Sequence, residues 1–179
     1  MERILIIGSG GAGKSTLACQ LGEMLSLPVI HLDRLYWYGN WQHRTALEFD
    51  PLLGQALDGE RWIIDGNYIR TLPTRLAYCD TVLFLDYPTI VCLWGAIWRS
   101  IRWHGKCRPD MGGTCHERLD PSFMRWVLTF RRHTRGRILE ELSRAPENVR
   151  VCILRNRREC RRFLKSAADI KRIREEENV

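Results

Sequence analysis

Arg3-Ile4-Leu5-Ile6-Ile7-Gly8-Ser9-Gly10-Gly11-Ala12-Gly13-Lys14-Ser15-Thr16 runs from an apolar stretch through a glycine-rich turn into a helical pattern. Residues 8–15 fit G-x-x-x-x-G-K-[ST], and Leu17, Ala18, Leu21, Met24 and Leu25 continue at helical spacing. Such a turn between strand and helix lets successive backbone N–H groups converge on one point, a cradle for phosphate oxygens. The helix beginning near Lys14 aims the positive end of its dipole at the same anion. Gly8, Ser9, Gly10, Gly11, Ala12, Gly13, Lys14, Ser15 and Thr16 are therefore the expected binding loop of a nucleoside triphosphate. Lys14 supplies a point charge to the outer phosphates, and the Ser15 hydroxyl is a ligand for magnesium.

Working outward, apolar runs at 3–7, 28–32, 62–64, 81–85 and 149–154 read as buried parallel strands separated by helical stretches. That alternation is the pattern of an α/β domain. Asp50-Pro51 and Asp120-Pro121 resemble helix starts, and Pro88 opens a helix with Val91, Trp94, Ile97, Trp98 and Ile101 along one face. Most of the seven tryptophans are expected in the core. Residues 104–119, rich in Gly, Pro and Arg, are too long for an ordinary connection and too polar for core, so a mobile lid is expected there. Residues 1–179 otherwise read as a single domain.

The formal charge of +7 is unevenly spread. Residues 99–137 carry nine arginines and Lys106 against Asp110, Glu117 and Asp120, which points to a polyanionic partner. Seven cysteines scattered through apolar stretches suit reduced thiols, and no apolar run approaches a membrane span or a secretion signal. A cytoplasmic location is the expectation.

Ligands of an open α/β sheet gather at the carboxyl ends of its strands. Asp33, Asp65 and Asp86 each follow an apolar run there. A carboxylate in that position holds hydrated magnesium, takes a proton from an attacking hydroxyl, or caps the next helix. Asp65 is assigned to the metal, Asp33 to the acceptor, and Asp86 is the strongest candidate for a cap.

The segments "HLDRLYW", "WIIDGNYIRTLPTRL", "TVLFLDYP" and "GKCRPDMGGTCHERLDPSFMRWV" follow the glycine-rich loop in order. This succession resembles the DNA topology modulation protein family, itself similar to adenylate kinase and the small-molecule P-loop kinases. The resemblance spans residues 1 to about 165. It implies a P-loop NTPase fold with a five-stranded parallel sheet ordered 2-3-1-4-5, flanked by helices, with a lid. Two departures from adenylate kinases stand out. The loop ends Lys14-Ser15-Thr16, as in shikimate- and gluconate-kinase-like proteins. Asn67-Tyr68 follows Asp65-Gly66 where adenylate kinases carry a Phe-Pro-Arg that grips the monophosphate, so Arg70 or Arg75 becomes the substitute.

Phosphoryl transfer needs positive charge spread over the transferring oxygens. Arg99, Arg108 and Arg131 are the expected catalytic arginines, drawn from a set that includes Arg102, Arg118, Arg132 and Arg135. Arg155 and Arg157, after the last strand, stand where related kinases pack the base of ATP. His104, Cys107, Cys115 and His116 lack the paired spacing of zinc-binding lids. Tyr36, Trp37, Tyr38 and Trp41 follow Asp33 directly and form a candidate wall for an acceptor pocket, with core packing as the competing reading.

The sequence therefore points to an ATP- and magnesium-dependent phosphotransferase acting on a nucleotide or small-molecule acceptor. A nucleic-acid-linked ATPase or DNA-binding regulator is the alternative, suggested by a pI of about 9.3. An Asn-Lys-x-Asp guanine motif is absent from the sequence.

Overall fold

The apolar runs become the strands β1 (Arg3–Gly8), β2 (Val29–His31), β3 (Trp62–Asp65), β4 (Thr81–Leu85) and β5 (Arg150–Leu154). They form one parallel sheet in the order β2-β3-β1-β4-β5 in the computed structural model, which describes residues 1–111 and 115–177. Helices cover both faces: α1 (Lys14–Leu25), α2 (Leu32–Tyr36), α3 (Ala46–Leu57), α4 (Leu72–Tyr78), α5 (Thr89–Arg102), α6 (Pro121–His133), α7 (Arg135–Ser143) and α8 (Arg157–Glu177). Because both faces are covered, β1 is apolar from Ile4 to Ile7. Leu5 and Ile7 join Phe49, Trp62 and Phe130 on one side, while Ile4 and Ile6 join Leu17, Leu21 and Val127 on the other.

The register sets the site. Asp65 is level with Ile6 on one flank and His31 on the other, and Gly8 is level with Leu85. The loop after β1, the DGNY turn after β3 and the start of α2 therefore emerge together at one edge. Among the described residues, no helix is long and apolar enough to cross a membrane, and none of the seven cysteines forms a disulfide.

Two helices differ from their sequence reading. The third begins at Ala46, with Thr45 and Glu48 forming a capping box, and Pro51 lies inside it rather than at its start. The Glu48 carboxylate accepts from both the Thr45 N–H and its hydroxyl, each at 2.8 Å. The T-x-x-E signature outweighs the Asp-Pro doublet because Phe49, Leu53 and Leu57 make one buried stripe spanning Pro51. Pro51 sits on the exposed side, where water takes over the carbonyl it leaves unpaired. At the other end of the lid, Asp120 caps α6 as expected, accepting from the N–H groups of Ser122 and Phe123.

The larger correction concerns α5. Trp94 and Trp98 are 65% and 64% exposed, so the large apolar face points to solvent. The buried stripe is Cys92, Ala96 and Ser100, three small side chains at helical spacing. Small residues are needed there because the helix backbone rests directly on the glycine-rich loop. A Cβ on Gly95 would fall 2.2 Å from the Gly11 carbonyl oxygen, and one on Gly11 would fall 2.1 Å from the Cys92 carbonyl oxygen. Helix propensity alone makes Gly95→Ala stabilising by about 1 kcal/mol. The contact reverses the sign: the variant is expected to lose roughly 1–3 kcal/mol in urea denaturation. A stabilised variant would mean that α5 does not seat the loop.

Residues 104–111 and 115–119 fold back onto the chain after α2. Gly105 and Glu117 pair through the backbone, and Cys107 bridges His116. The Cys115 thiol donates to the Tyr38 carbonyl at 2.8 Å, and the Trp41 indole donates to the His116 carbonyl at 2.9 Å. Arg108, Met111, Cys115 and Glu117 are buried, so this part of the expected lid is packed over the site despite its polar composition. Residues 112–114 of that segment lie outside the described residues.

Candidate active site

Gly13, in the left-handed region at φ 91°, turns the chain from the loop into α1. The first turn of α1 carries no acidic residue, so its free N–H groups face no competing side-chain anion. Lys14 donates from Nζ to the Ser9 carbonyl at 3.0 Å, and the Ala12 N–H bonds the same carbonyl at 3.3 Å. Burial lowers the pKa of the Lys14 ammonium, opposed by the nearby Asp33 and Asp65 carboxylates. Asn67 pins the loop from the other side, accepting the Gly8 N–H at 3.2 Å.

Lys14, Ser15 and Gly10 open onto a cavity of about 490 Å³, which Asp33 and Asp65 also border. Asp65 is buried at the end of β3, with Oδ1 2.6 Å from Nδ1 of His31. Burial opposes the protonation of His31, but the hydrogen bond and charge of Asp65 prevail and raise its pKa. Asp33, in the first turn of α2, accepts the Tyr68 hydroxyl on Oδ1 at 2.6 Å. Burial first, and then Asp33, push the Tyr68 phenol upward, which keeps it a donor.

Tyr68 holds φ 26°, ψ 67°, a conformation costly for a side chain of its size. Arg75 maintains it. This fully buried guanidinium donates to the carbonyls of Gly66, Asn67 and Tyr68 at 2.9, 2.6 and 2.9 Å. The expectation that Arg75 or Arg70 grips an acceptor phosphate is therefore corrected. Arg75 shapes the loop, and Arg70 pairs with Asp50 at the surface.

Arg99 and Arg108, two of the three expected catalytic arginines, do reach the cavity. Arg99 lies with its guanidinium 4.9 Å over the Phe123 ring, and its Nε is 3.6 Å from Glu117 Oε2. Arg108 pairs with the same oxygen at 2.7 Å and with Asp110 at 2.9 Å. Glu117, 3% exposed, thus gathers both arginines, and its other oxygen accepts from Ser100 at 3.2 Å. Arg118, Asp120, Phe123 and Trp126 border the cavity as well. Tyr36, Trp37 and Trp41 line it beside Asp33, whereas Tyr38 turns away to Glu48 and stacks under Arg44.

Other expected residues lie elsewhere. Arg131 and Arg132 are exposed on α6, and Arg155 and Arg157 follow β5 on the surface; none borders this cavity. Asp86 does not cap α5, whose N-cap is Pro88. It is buried and takes a bidentate pair from Arg135, with contacts of 2.8 to 3.0 Å, so that arginine is structural. In the lid quartet, Cys107 is 3.9 Å from His116 Nδ1 but the Cys115 thiol is turned to Tyr38. Among the described residues, no three His, Cys, Asp or Glu side chains are grouped to hold a metal ion.

Sequence reasoning missed Asn67, Tyr68 and Glu117 as site residues, and Gly95 as the seat of the loop. An isolated glycine within a helical pattern was the available signal for Gly95. The pairing of Tyr68 with Asp33 had no signal, because it spans 35 positions.

No family model matches the chain. It is 27% identical over 128 residues to YqaC of Bacillus subtilis (strain 168), an uncharacterized protein, across 70% of this chain and 71% of that one. Among solved structures it resembles YorR from Bacillus subtilis in complex with phosphorylated GDP, with a TM-score of 0.55, 14% identity and 97% of each chain covered. Shikimate kinase from Acinetobacter baumannii in complex with shikimate gives 0.55 at 16% identity, covering 95% of this chain and 92% of that one. A gluconokinase from Sinorhizobium meliloti 1021 gives 0.52 at 16% identity, with 97% of each covered. The likeness is one of fold: a five-stranded parallel sheet ordered β2-β3-β1-β4-β5, flanked by helices, with the glycine-rich loop after β1.

Proposed function

We infer that this chain is a phosphotransferase that moves the γ-phosphoryl group of ATP to an acceptor hydroxyl. The observation that carries the reading is a single cavity bordered by the phosphate-loop residues Lys14 and Ser15, two strand-end carboxylates and two arginines gathered on Glu117. In it, Lys14 and the loop amides hold the phosphates, and Arg99 and Arg108 balance charge on the transferring group. Asp33, oriented by Tyr68, accepts the acceptor's proton. Arg131, exposed on α6, is left out of this set. Arg155 and Arg157 are assigned to the base side of ATP on their position after β5 alone.

Ser15 and Asp65 fit magnesium. Both are hard oxygen donors bordering the same cavity, and His31 engages only Oδ1 of the carboxylate. Held by Ser15 and Asp65, the ion would supply positive charge against the charge of the phosphates. Residues 1–179 form one kinase-like domain in this reading, with 104–119 as the lid. Unpaired cysteines fit a reducing, ATP-supplied cytoplasm.

The DNA-directed alternative draws on the exposed Arg102, Arg118, Arg125, Arg131, Arg132 and Arg137, but Arg99, Arg108 and Arg135 are engaged by carboxylates. The test is ADP release with magnesium and ATP across nucleoside monophosphates, nucleosides and small hydroxyl metabolites, with acceptor-stimulated turnover expected. In parallel, a non-hydrolysable ATP analogue is expected to slow proteolysis within 104–119, because a bound nucleotide holds a lid closed. Duplex DNA is expected to give no such protection. Tight DNA binding that falls steeply with salt, without protection by the analogue, would favour the alternative.

A further inference from the structure

The acceptor half of the cavity has a chemical character that narrows what it can take, and the following rests on the phosphotransferase reading. Beside Asp33 the walls are aromatic side chains, Tyr36, Trp37, Trp41 and Tyr68. Tyr36 packs on Tyr68 at 4.9 Å between centroids and edge-on to Phe49 at 5.5 Å. Trp37 meets Trp41 edge-on at 5.5 Å, and Trp41 is fixed by its bond to the His116 carbonyl. These contacts hold the rings in place before any acceptor arrives.

Recognition of a phosphomonoester or carboxylate takes an available guanidinium fork or an equivalent cation. The arginines that follow Asp33 and the DGNY turn in the chain are committed. Arg75 is spent on three backbone carbonyls, Arg70 on Asp50, and Arg34 donates to the Pro109 carbonyl. Arg99 and Arg108 share Glu117, and Arg108 also holds Asp110. Around the cavity, Lys14, Arg99, Arg108 and Arg118 face Asp33, Asp65, Asp110, Glu117 and Asp120. The carboxylates already outnumber the cations, and the cations lie with the phosphate loop and lid where ATP needs them. An anionic acceptor would meet Asp33 with Lys14 and Arg99 already shared among carboxylates, leaving Arg118, exposed at the cavity's border beside Asp120, as the remaining cation.

The geometry points to an uncharged or cationic alcohol built on a flat ring as the acceptor, and against a phosphomonoester or a carboxylate. The ring lies against Trp37 and Tyr36, and a cationic ring gains further from their faces. Asp33 takes the hydroxyl proton as the new bond forms between that oxygen and the γ-phosphorus. The bond from the γ-phosphorus to the β–γ bridging oxygen breaks, releasing ADP. Ring binding and proton removal then come from the same wall.

The test uses matched compounds with the full-length protein, magnesium and ATP. One set is adenosine, guanosine, cytidine, thymidine and pyridoxine; the other is their 5′-phosphomonoesters with shikimate and gluconate. At least one compound of the first set is expected to be phosphorylated, with kcat/KM at least about 100-fold above its phosphorylated counterpart, since like charges at the site discriminate strongly. Trp37→Ala is expected to raise KM for that compound and leave kcat nearly unchanged, as for uniform binding. Turnover with none of the first set, or preference for a phosphorylated or carboxylated compound, overturns the inference. ATP binding measured by calorimetry separates the two levels. Lys14-dependent binding with an anionic acceptor preferred removes only this inference, whereas absence of ATP binding removes the phosphotransferase reading itself.

Discussion

Lys14→Ala is expected to cut phosphoryl transfer by roughly 10³–10⁵, the loss typical of removing a transition-state charge partner from a phosphoryl-transfer site. The fold should stand. The loop keeps its shape through the Ala12–Ser9 and Leu17–Gly13 backbone bonds, the Asn67 clamp on Gly8 and the seat that α5 provides. The ammonium itself makes one bond, to the Ser9 carbonyl, and burial already disfavours its charge. Its removal should therefore shift stability by only about 1 kcal/mol. ATP turnover and thermal melting measured side by side check both halves. Near-normal turnover in a folded variant would remove the loop from catalysis.

That prediction rests on the part of the molecule most legible in sequence. Residues 3–16 carry their fold and their chemistry in one uninterrupted stretch, and every property used there is local. Strand identity was equally local, since a parallel strand covered on both faces is apolar at every position and needs no periodicity. Helix α5 marks the limit. Its strongest apolar stripe, with Trp94 and Trp98, faces outward, because what lies beneath the helix is the backbone of Gly11. Hydrophobic spacing identifies a stripe and not the neighbour it meets, and a close backbone approach favours small residues over large ones.

The arginines were less legible still. Their number and clustering on residues 99–137 are plain in the sequence, but each role depends on a partner that spacing does not reveal. Arg135 is held by Asp86, 49 positions away, and Arg75 is turned inward to carbonyls of the loop that precedes α4. Arg99 and Arg108 look alike in composition to Arg131 and Arg132. Only the buried Glu117, itself counted in sequence as one more surface charge, separates the pair at the cavity from the pair in solvent. Buried carboxylates gather cations because an unpaired charge in that setting is costly, and that selection acts through three-dimensional proximity alone.

Asp33→Asn tests the assignment that depends most on the fold. Asparagine keeps the shape of the side chain and an oxygen for the Tyr68 hydroxyl, which lies 2.6 Å from Asp33 Oδ1 in the native protein. What it loses is the ability to accept a proton, so turnover with the true acceptor should fall by roughly 10²–10⁴, the usual worth of a positioned general base. ATP affinity should change little, because the loop amides and Lys14 are untouched. Asp65→Asn should behave differently, weakening magnesium dependence and ATP turnover together, since it alters the carboxylate assigned to the ion. Tyr68→Phe should give a smaller loss than Asp33→Asn, since the base remains and only its orientation is relaxed. Measured kcat, KM and ATP binding for the three variants resolve these patterns. A normal rate in Asp33→Asn, or a Tyr68→Phe loss exceeding it, would transfer the base to another group and leave Asp33 a structural partner of the strained tyrosine.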